Sequence, residues 1–583
     1  MPLLPLLRRL PFTALAVGLL WAAAFPKLQF PALAWLAPAA LLLCSASSSP
    51  RSIFFQGFLA GLVHYLISLH WLLFIPFPAG AVAGWLALSA YMALFPAAWV
   101  SICWALQPPA TRHLNQLHSP LSPPFQFPFP FSFRLSPLIQ GLASTPWHQR
   151  ASWALVCAVA WTSLEFASSR LLSGFPWNLL GASQYQSIAL IQIASITGVY
   201  GVSFLVAWFS SSLACASSRL LAPLPTHTNT ASTDRTDPKP FLGSNHAWAF
   251  LADLALPLLA IAGTLFFGLH QIAHSPQSST HLQIALVQPS IPQNLIFDPK
   301  ENTNRFAKLI RLSQIALATK PDLLIWPEAA TPNLLRYDPL NYQTITNLLA
   351  GSQTWMILGA DDAEPNRQTP DPNDALYFNS AFAISPSGEF VGDYRKRRLV
   401  IFGEYVPLSR WLPFLRYVTP IDGGFEPGTE PGWFNIKPLN LRAGILICFE
   451  DVFPQAARDC VDASTDFLVN LTNNGWFGES AAQWQHAASS VFRAVENQIP
   501  LIRCTNNGLT CWIDPAGRLH AVHFDDSNDI YSAGIKTARI PTLGPGVKRS
   551  LTFYTRHGDV FAWSCSGITL ALLGLRRLRP TSR

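Results

Sequence analysis

A chain of 583 residues that is half apolar, only 12% charged, and rich in Trp (20) and Phe (39) is too apolar for an ordinary soluble protein of this length. Long uncharged stretches fill residues 1–272 and recur near 558–575, whereas residues 281–545 have soluble composition. The formal net charge of +7 gathers in loops and a tail that flank the apolar stretches, where anionic headgroups and topology account for it, and this excludes a nucleic-acid role.

Eight stretches are long enough to cross a hydrocarbon core of ~30 Å: residues 10–25, 29–46, 53–75, 80–106, 151–169, 193–217, 247–272 and 558–575. The first follows Arg8 and Arg9 with no convincing cleavage site, so it reads as a retained anchor and not a signal peptide. Lys and Arg set the orientation. With the N-terminus cytoplasmic, the cytoplasmic loops carry Arg51, then Arg112, Arg134 and Arg150, then Arg219, Arg235 and Lys239, and the tail carries Arg576, Arg577, Arg579 and Arg583. The opposite loops hold only Lys27 and Arg170. Eight spans leave residues 281–545 outside the cytoplasm. The predicted organisation is a seven-helix membrane domain (1–273), an extracytoplasmic domain (281–545), and a final helix with a basic tail (557–583).

Two loops, 107–149 with PPFQFPFPFSF and 222–245 with PLPTHTNTASTDRTDP, are rich in Pro, Ser and Thr and read as flexible cytoplasmic insertions. Glu165 is the one carboxylate at membrane depth; such acids are functional candidates, but a structural pairing near the end of its span, with Arg170 or a headgroup, ranks higher. His64 and His70 flank Tyr65 without companions at ligand spacing, so packing is expected and no metal. No internal repeat is visible.

The outer domain opens with the alternating HLQIALVQPSIPQ, then the helical NTNRFAKLIRLSQIALATK. PDLLIWPEAATP, TWMILGADDA and a hairpin over YFNSAFAISPSGEFVGDYRK follow. Then come RAGILICFE, DFLVNLTNN and PLIRCTNNGLTCWIDPAGRL, with a helical pattern over 482–497. Strands apolar on both faces that alternate with helices indicate sheets layered with helices. Among nine cysteines, Cys460, Cys504 and Cys511 lie in this domain beside Cys448, and no spacing demands a disulfide.

Three strands end in chemically capable residues: Glu328, Lys396 and Cys448. Acyl transfer needs such a set, with a thiolate nucleophile, a carboxylate to take its proton and an ammonium to stabilise the oxyanion. Singly each is weak. A strand Cys is usually an inert small hydrophobe, Glu328 suits a helix N-terminus, and Lys396 stands in a basic run that reads as a solvated face.

Together WPEAATP, YRKRRLVIFGEYVPL, ICFEDVFP, LTNNGWFG and RCTNNGLT resemble the carbon-nitrogen hydrolase (nitrilase) superfamily. LEFASSRLLSGFPWNLLGASQYQSIALIQIASITGVYGVSFLV, one more span, the nitrilase-like domain and a last span are similar to the apolipoprotein N-acyltransferase family. The resemblance implies an αββα sandwich on a polytopic helical membrane domain, with Cys448 as nucleophile, Glu328 as base and Lys396 as oxyanion-stabilising cation. It further implies support from Glu404, Glu450 and the Phe449 N–H, and a pocket lined or braced by Asn379, Asn473, Asn474, Trp476, Arg503 and Asn507. Phe297 stands where Trp is expected near the acyl donor, Ile401 where Pro is common, and Phe449 where Tyr often follows the cysteine.

The implied reaction needs no cofactor. It moves an acyl chain from a phospholipid, expected to be phosphatidylethanolamine, through a Cys448 thioester to the N-terminal amine of a diacylglyceryl-cysteine lipoprotein. The expected setting is the bacterial inner membrane, with a monomer whose catalytic domain faces the periplasm among membrane lipids. WLPFLRYV (411–418) is a candidate loop dipping into the bilayer to exclude water. A membrane-anchored amidase of the same superfamily, or a non-catalytic polytopic binding protein, are the alternatives. Eight spans argue against the first and the Glu-Lys-Cys set against the second.

Overall fold

The computed structural model describes residues 12–45, 49–108, 137–221, 244–274, 280–296, 298–367, 374–407, 424–524 and 528–578. Arg8, Arg9, Arg112, Arg134, Arg235, Lys239, Arg579 and Arg583 lie outside the described residues. So do 109–136 and 222–243 of the two insertions, Phe297 and the 411–418 loop.

Apolar helices occupy Phe12–Ala23, Pro50–Ser68, Pro78–Ala105, Trp147–Ser168, Val199–Leu221, Ser244–Ala273 and Val560–Leu578. Among the described residues four are long and apolar enough to cross a membrane: Pro78–Ala105, Trp147–Ser168, Val199–Arg219 and Phe250–Ala273. The stretch 29–46 is not one span. It breaks into a 3-10 turn, Pro31–Trp35, and an eight-residue helix, Ala37–Cys44, about 12 Å long at 1.5 Å per residue and too short to cross alone. Part of the first insertion is also ordered. Pro137–Ser144 is helical, with Leu142 buried against the membrane core.

Two expectations about membrane charges change. Arg150 is not a loop charge: it lies inside the helix Trp147–Ser168, and its Nε and Nη2 donate to the Asp253 carboxylate at 2.8–3.1 Å, both side chains 1% exposed. Arg170 does not pair with Glu165. It bonds Asp559 Oδ2 at 2.5 Å, while Glu165 Oε1 accepts from Trp161 Nε1 (2.8 Å) and Leu180 N (2.7 Å). His64 is buried and stacks on Trp21 at 3.9 Å between ring centroids.

Among the described residues the α/β domain contributes twelve strands: β1 Thr280–Gln288, β2 Leu323–Ile325, β3 Trp355–Pro365, β4 Ala375–Ile384, β5 Phe390–Arg395, β6 Gly432–Ile436, β7 Leu441–Ile447, β8 Phe467–Thr472, β9 Leu501–Thr505, β10 Cys511–Ile513, β11 Leu519–His520 and β12 Gly534–Thr542. They form two six-stranded sheets, β12-β1-β2-β3-β4-β5 and β6-β7-β8-β9-β10-β11. Read in those orders, both sheets show one antiparallel, two parallel and two antiparallel pairings. The α/β domain is therefore a structural duplication that the sequence does not reveal.

Strand periodicity explains the layering. Leu441, Ala443, Ile445 and Ile447 of β7 point between the sheets with Ile284, Ile325 and Val469, while Leu446 points the other way, toward the helix Ala482–Asn497. Alternate residues thus serve two cores, so the strand reads as continuously apolar. The helices Asn302–Leu317 and Pro339–Leu349 cover the first sheet. Behind the second sheet, Val491 and Val495 share one core with Trp71, Trp177, Tyr185 and Tyr200 of the membrane half. All nine cysteines are free, so the pairing left open for Cys460, Cys504 and Cys511 does not form.

Ile445 is fully buried in the sandwich, and Ile445→Ala is expected to destabilise the protein by about 3 kcal/mol, transfer and cavity terms together. The check is the thermal midpoint of the purified full-length protein. An unchanged midpoint would contradict the inward placement of this residue.

Candidate active site

Each reactive residue stands at the end of a strand. Glu328 follows β2 across Trp326 and Pro327, and this segment docks on β3 through Gly359, whose N–H donates to Pro327 O (3.1 Å) and whose carbonyl accepts from Ala330 N (2.8 Å). A Cβ on Gly359 would lie 2.6 Å from Glu328 Cα, so the close approach requires glycine. Lys396 follows β5, and its backbone N–H donates to Asn379 O at 2.8 Å. Cys448 leaves β7 at φ +51°, a left-handed conformation that costs a non-glycine residue about 1–3 kcal/mol and persists only where surrounding contacts fix it.

These ends converge. Lys396 Nζ, 1% exposed, donates to Glu328 Oε1 (3.1 Å) and Glu404 Oε1 (2.7 Å). Asn379 Nδ2 donates to the same two oxygens at 2.7 and 2.8 Å. The remaining oxygens are taken by backbone: Asn473 N on Glu328 Oε2 (2.9 Å) and Val400 N on Glu404 Oε2 (2.8 Å). Burial opposes the charge of Lys396, but Glu328, Glu404 and Cys448 outweigh it and hold the ammonium well above its ordinary pKa. Two carboxylates on one ammonium leave a net negative charge, so a second anion is unfavourable. Accordingly burial, with Glu328 adding to it and Lys396 opposing it, pushes the Cys448 thiol up to about 12. The thiol rests as a neutral S–H beside a group able to take its proton.

Glu450 positions the two reactive turns relative to each other. It is fully buried and accepts from Tyr394 OH (2.8 Å), Arg397 N (2.7 Å), Arg398 N (3.1 Å) and Ile447 N (2.8 Å). Backbone just after Lys396 and just before Cys448 therefore hangs on one carboxylate. Burial pushes its pKa up and these donors oppose the rise. The Cys448 carbonyl accepts from Asn470 Nδ2 (3.1 Å) and faces His486 Nε2 (3.2 Å). Asp451, next in the turn, bonds His486, Ser490 and Arg503; against the penalty of burial, His486 and Arg503 hold its carboxyl at about 2.

The other expected residues divide. Asn379 and Asn473 touch the carboxylates, Asn473 through its backbone while its Nδ2 donates to Gln293 Oε1 (2.8 Å). Asn474 Oδ1 lies 3.1 Å from His486 Nδ1, and Trp476 is half-buried in the 3-10 turn Asn474–Phe477. Arg503 does not face the site as a substrate-binding residue: it is fully buried on Asp451 and braces the turn after Cys448. Asn507 Nδ2 donates to Ser290 Oγ (2.9 Å). Phe449 packs on Phe175 and Trp177 at 5.9 and 6.2 Å.

Sequence reasoning missed Asp361, Asp451, His486 and Gln485. Asp361 stands opposite Asn379 on β3, and burial with the nearby Glu328 and Glu404 pushes it up to about 7. Its only signal was the acidic pair in TWMILGADDA. Asp451 was visible beside Glu450, but nothing in the sequence joined it to a histidine 35 residues on.

The family model described as carbon-nitrogen hydrolase matches residues 283–542, and that described as apolipoprotein N-acyltransferase N-terminal domain matches residues 17–212. An apolipoprotein N-acyltransferase of Geobacter metallireducens is 33% identical over 97% of this chain and 95% of its own length. One from Rickettsia prowazekii is 31% identical over 63% of this chain and 67% of its own. Among solved structures, the nitrilase-superfamily member Nit3 of Saccharomyces cerevisiae aligns at a TM-score of 0.33 and 16% identity, over 53% of this chain and 98% of that one.

The charges around the thiol give opposite expectations for two variants. Glu328→Gln removes a charge that raises the Cys448 pKa and Lys396→Met removes one that lowers it. At pH 9, alkylation of Cys448 by iodoacetamide, read by peptide mass spectrometry, is expected to quicken about tenfold in the first and slow in the second. An unchanged rate in both variants would mean that neither group faces the thiol.

Proposed function

The chain belongs to the apolipoprotein N-acyltransferase family, and from that membership we propose how its site transfers an acyl chain from a phospholipid to the N-terminal amine of a diacylglyceryl-cysteine lipoprotein. Glu328 takes the Cys448 proton as sulfur attacks the ester carbonyl. Lys396 and the Phe449 N–H stabilise the tetrahedral oxyanion. The intermediate collapses to a Cys448 thioester, and the lysophospholipid oxygen leaves with the proton held by Glu328. In the second half, Glu328 takes a proton from the lipoprotein's α-amine as its nitrogen attacks the thioester. The amide forms and the proton returns to sulfur.

Glu404 keeps Lys396 charged, and Glu450 and Asn379 position the set. The contact of Phe449 with Phe175 and Trp177 supports this most directly, because the residue beside the nucleophile packs on the membrane half where both substrates are held. The aromatic wall also keeps water from the thioester. The donor we assign is phosphatidylethanolamine, and the setting the bacterial inner membrane, with the catalytic domain facing the periplasm and the enzyme monomeric. The orientation is supported by Arg51, Arg219, Arg576 and Arg577 on the cytoplasmic side.

The test is the intact mass of purified protein incubated with phosphatidylethanolamine, with peptide mapping, beside Cys448→Ser. The expected result is one acyl chain on Cys448, absent from the variant, discharged by a diacylated lipopeptide to an amide. If Cys448 of the folded wild type stays free, the mechanism is wrong.

A further inference from the structure

Cys448 holds a left-handed turn at φ +51°, and something outside its own strand must fix it there. Its carbonyl meets two side chains, Asn470 Nδ2 from β8 and His486 Nε2 from the helix Ala482–Asn497. His486 is itself fixed on both sides, with Nε2 2.6 Å from Asp451 Oδ1 and Nδ1 3.1 Å from Asn474 Oδ1. The indole of Trp177, from the membrane half, packs on its ring at 5.5 Å between centroids.

The preceding residue, Gln485, is 2% exposed and faces the membrane half. Its Oε1 accepts from Trp71 Nε1 (3.0 Å) and Trp177 Nε1 (2.7 Å), and its Nε2 donates to Pro26 O (2.8 Å) and Ser68 O (3.1 Å). One amide thus meets its full capacity, two bonds accepted and two donated. The partners come from three separate segments of the membrane half, and the reversed amide would set an NH2 against two indole N–H groups. A buried polar group satisfied this completely specifies one docking geometry.

We propose that Gln485 and His486 form one positioning pair for the acyl transfer: Gln485 locks the catalytic domain onto the membrane half, and His486, one residue on, holds the Cys448 carbonyl so that the thiol is aimed only in the docked arrangement. Neither touches the reacting atoms, and both act through Cys448. The inference rests on the thioester mechanism proposed above.

The test uses the full-length enzyme in detergent micelles and single-turnover thioester formation from phosphatidylethanolamine. It separates the maximal rate from the half-saturating lipid concentration and checks the folding of each variant by its thermal midpoint. His486→Ala is expected to lower the maximal rate on the order of 100-fold, the cost of misplacing a reacting atom by ~1 Å, and His486→Gln, which keeps a donor, to recover much of it. Gln485→Leu lowers the same rate without raising the half-saturating concentration. Trp71→Phe, which removes one indole N–H from Gln485 Oε1 and remains measurable should the leucine variant not fold, shifts the rate in the same direction. A rise in half-saturating concentration at unchanged maximal rate, or no effect of His486→Ala, overturns the positioning role. A wild type that forms no thioester fails the mechanism itself and takes this inference with it.

Discussion

The Lys396 ammonium, 1% exposed, bonds to Glu328 and Glu404 at once, and a cation this dry is sustained only while both carboxylates face it. Breaking such a pair leaves an uncompensated buried charge at a cost of about 3–5 kcal/mol, so the ends of β2 and β5 and the GEYVP turn are held as one unit. Asn379 reaches the same two oxygens and keeps the carboxylates at a fixed separation. Glu450 extends the unit to Cys448 through backbone on both sides. The opening carboxylates of the FEDVFP segment do not suppress the thiol as simple neighbouring charges. Glu450 is occupied by backbone donors and Asp451 by His486, Ser490 and Arg503, and among acidic groups it is Glu328 that contributes most to raising the Cys448 pKa.

A thioester is more open to amines than an oxygen ester, and equally open to water, so the chemistry requires a dry route between bilayer and sulfur. In the mechanism proposed above, the aromatic seam would form its walls. Phe175 and Trp177 stack within 6.0 Å of each other and against Phe449, which meets Phe453 edge-on at 5.0 Å. Ser173 Oγ lies 3.3 Å from Tyr405 OH, next to Glu404, so the loop after the helix Trp147–Ser168 touches both the nucleophile's turn and the loop that supports the lysine.

What the sequence disclosed were features carried by contiguous residues. The Glu328, Lys396 and Cys448 motifs are local, as are the strand periods of β1 and β7, the β4–β5 hairpin and the helix over 482–497. The GEYVP carboxylate came only with the family resemblance. What stayed hidden depends on distant pairing. The duplicated sheet pattern is a property of hydrogen bonding between strands with no shared sequence, and Arg503 looked like a pocket residue until its burial on Asp451 was seen. The 29–46 span failed because composition reports apolarity and not helix continuity, and Pro31 and Pro38 start two short helices where one long one was expected. Arg150 misled the charge count because a buried partner, Asp253, stands 103 residues away.

The helix Ala482–Asn497 shows why polar residues all round a buried helix need not signal instability. Gln485 and Glu496 lie eleven residues apart, close to three full turns, and so share a face. That face meets the membrane half at both ends, Gln485 on Pro26, Ser68, Trp71 and Trp177, and Glu496 Oε1 on Val199 N at 2.9 Å, the first residue of the helix Val199–Leu221. His486, Ser490 and Arg493, at i, i+4 and i+7, form a second face, and each bonds the turn after Cys448, through Asp451 or the Val452 carbonyl. Two rows of polar groups, bonded to different neighbours and joined by Arg493 Nη2 on Glu496 Oε1, make one rigid rod answer to both halves of the protein. Rotating or sliding it to relieve one row would strand the other as buried unpaired polar groups, each costing about 1–3 kcal/mol. The position of the membrane half and the position of the nucleophile are therefore fixed by the same rod.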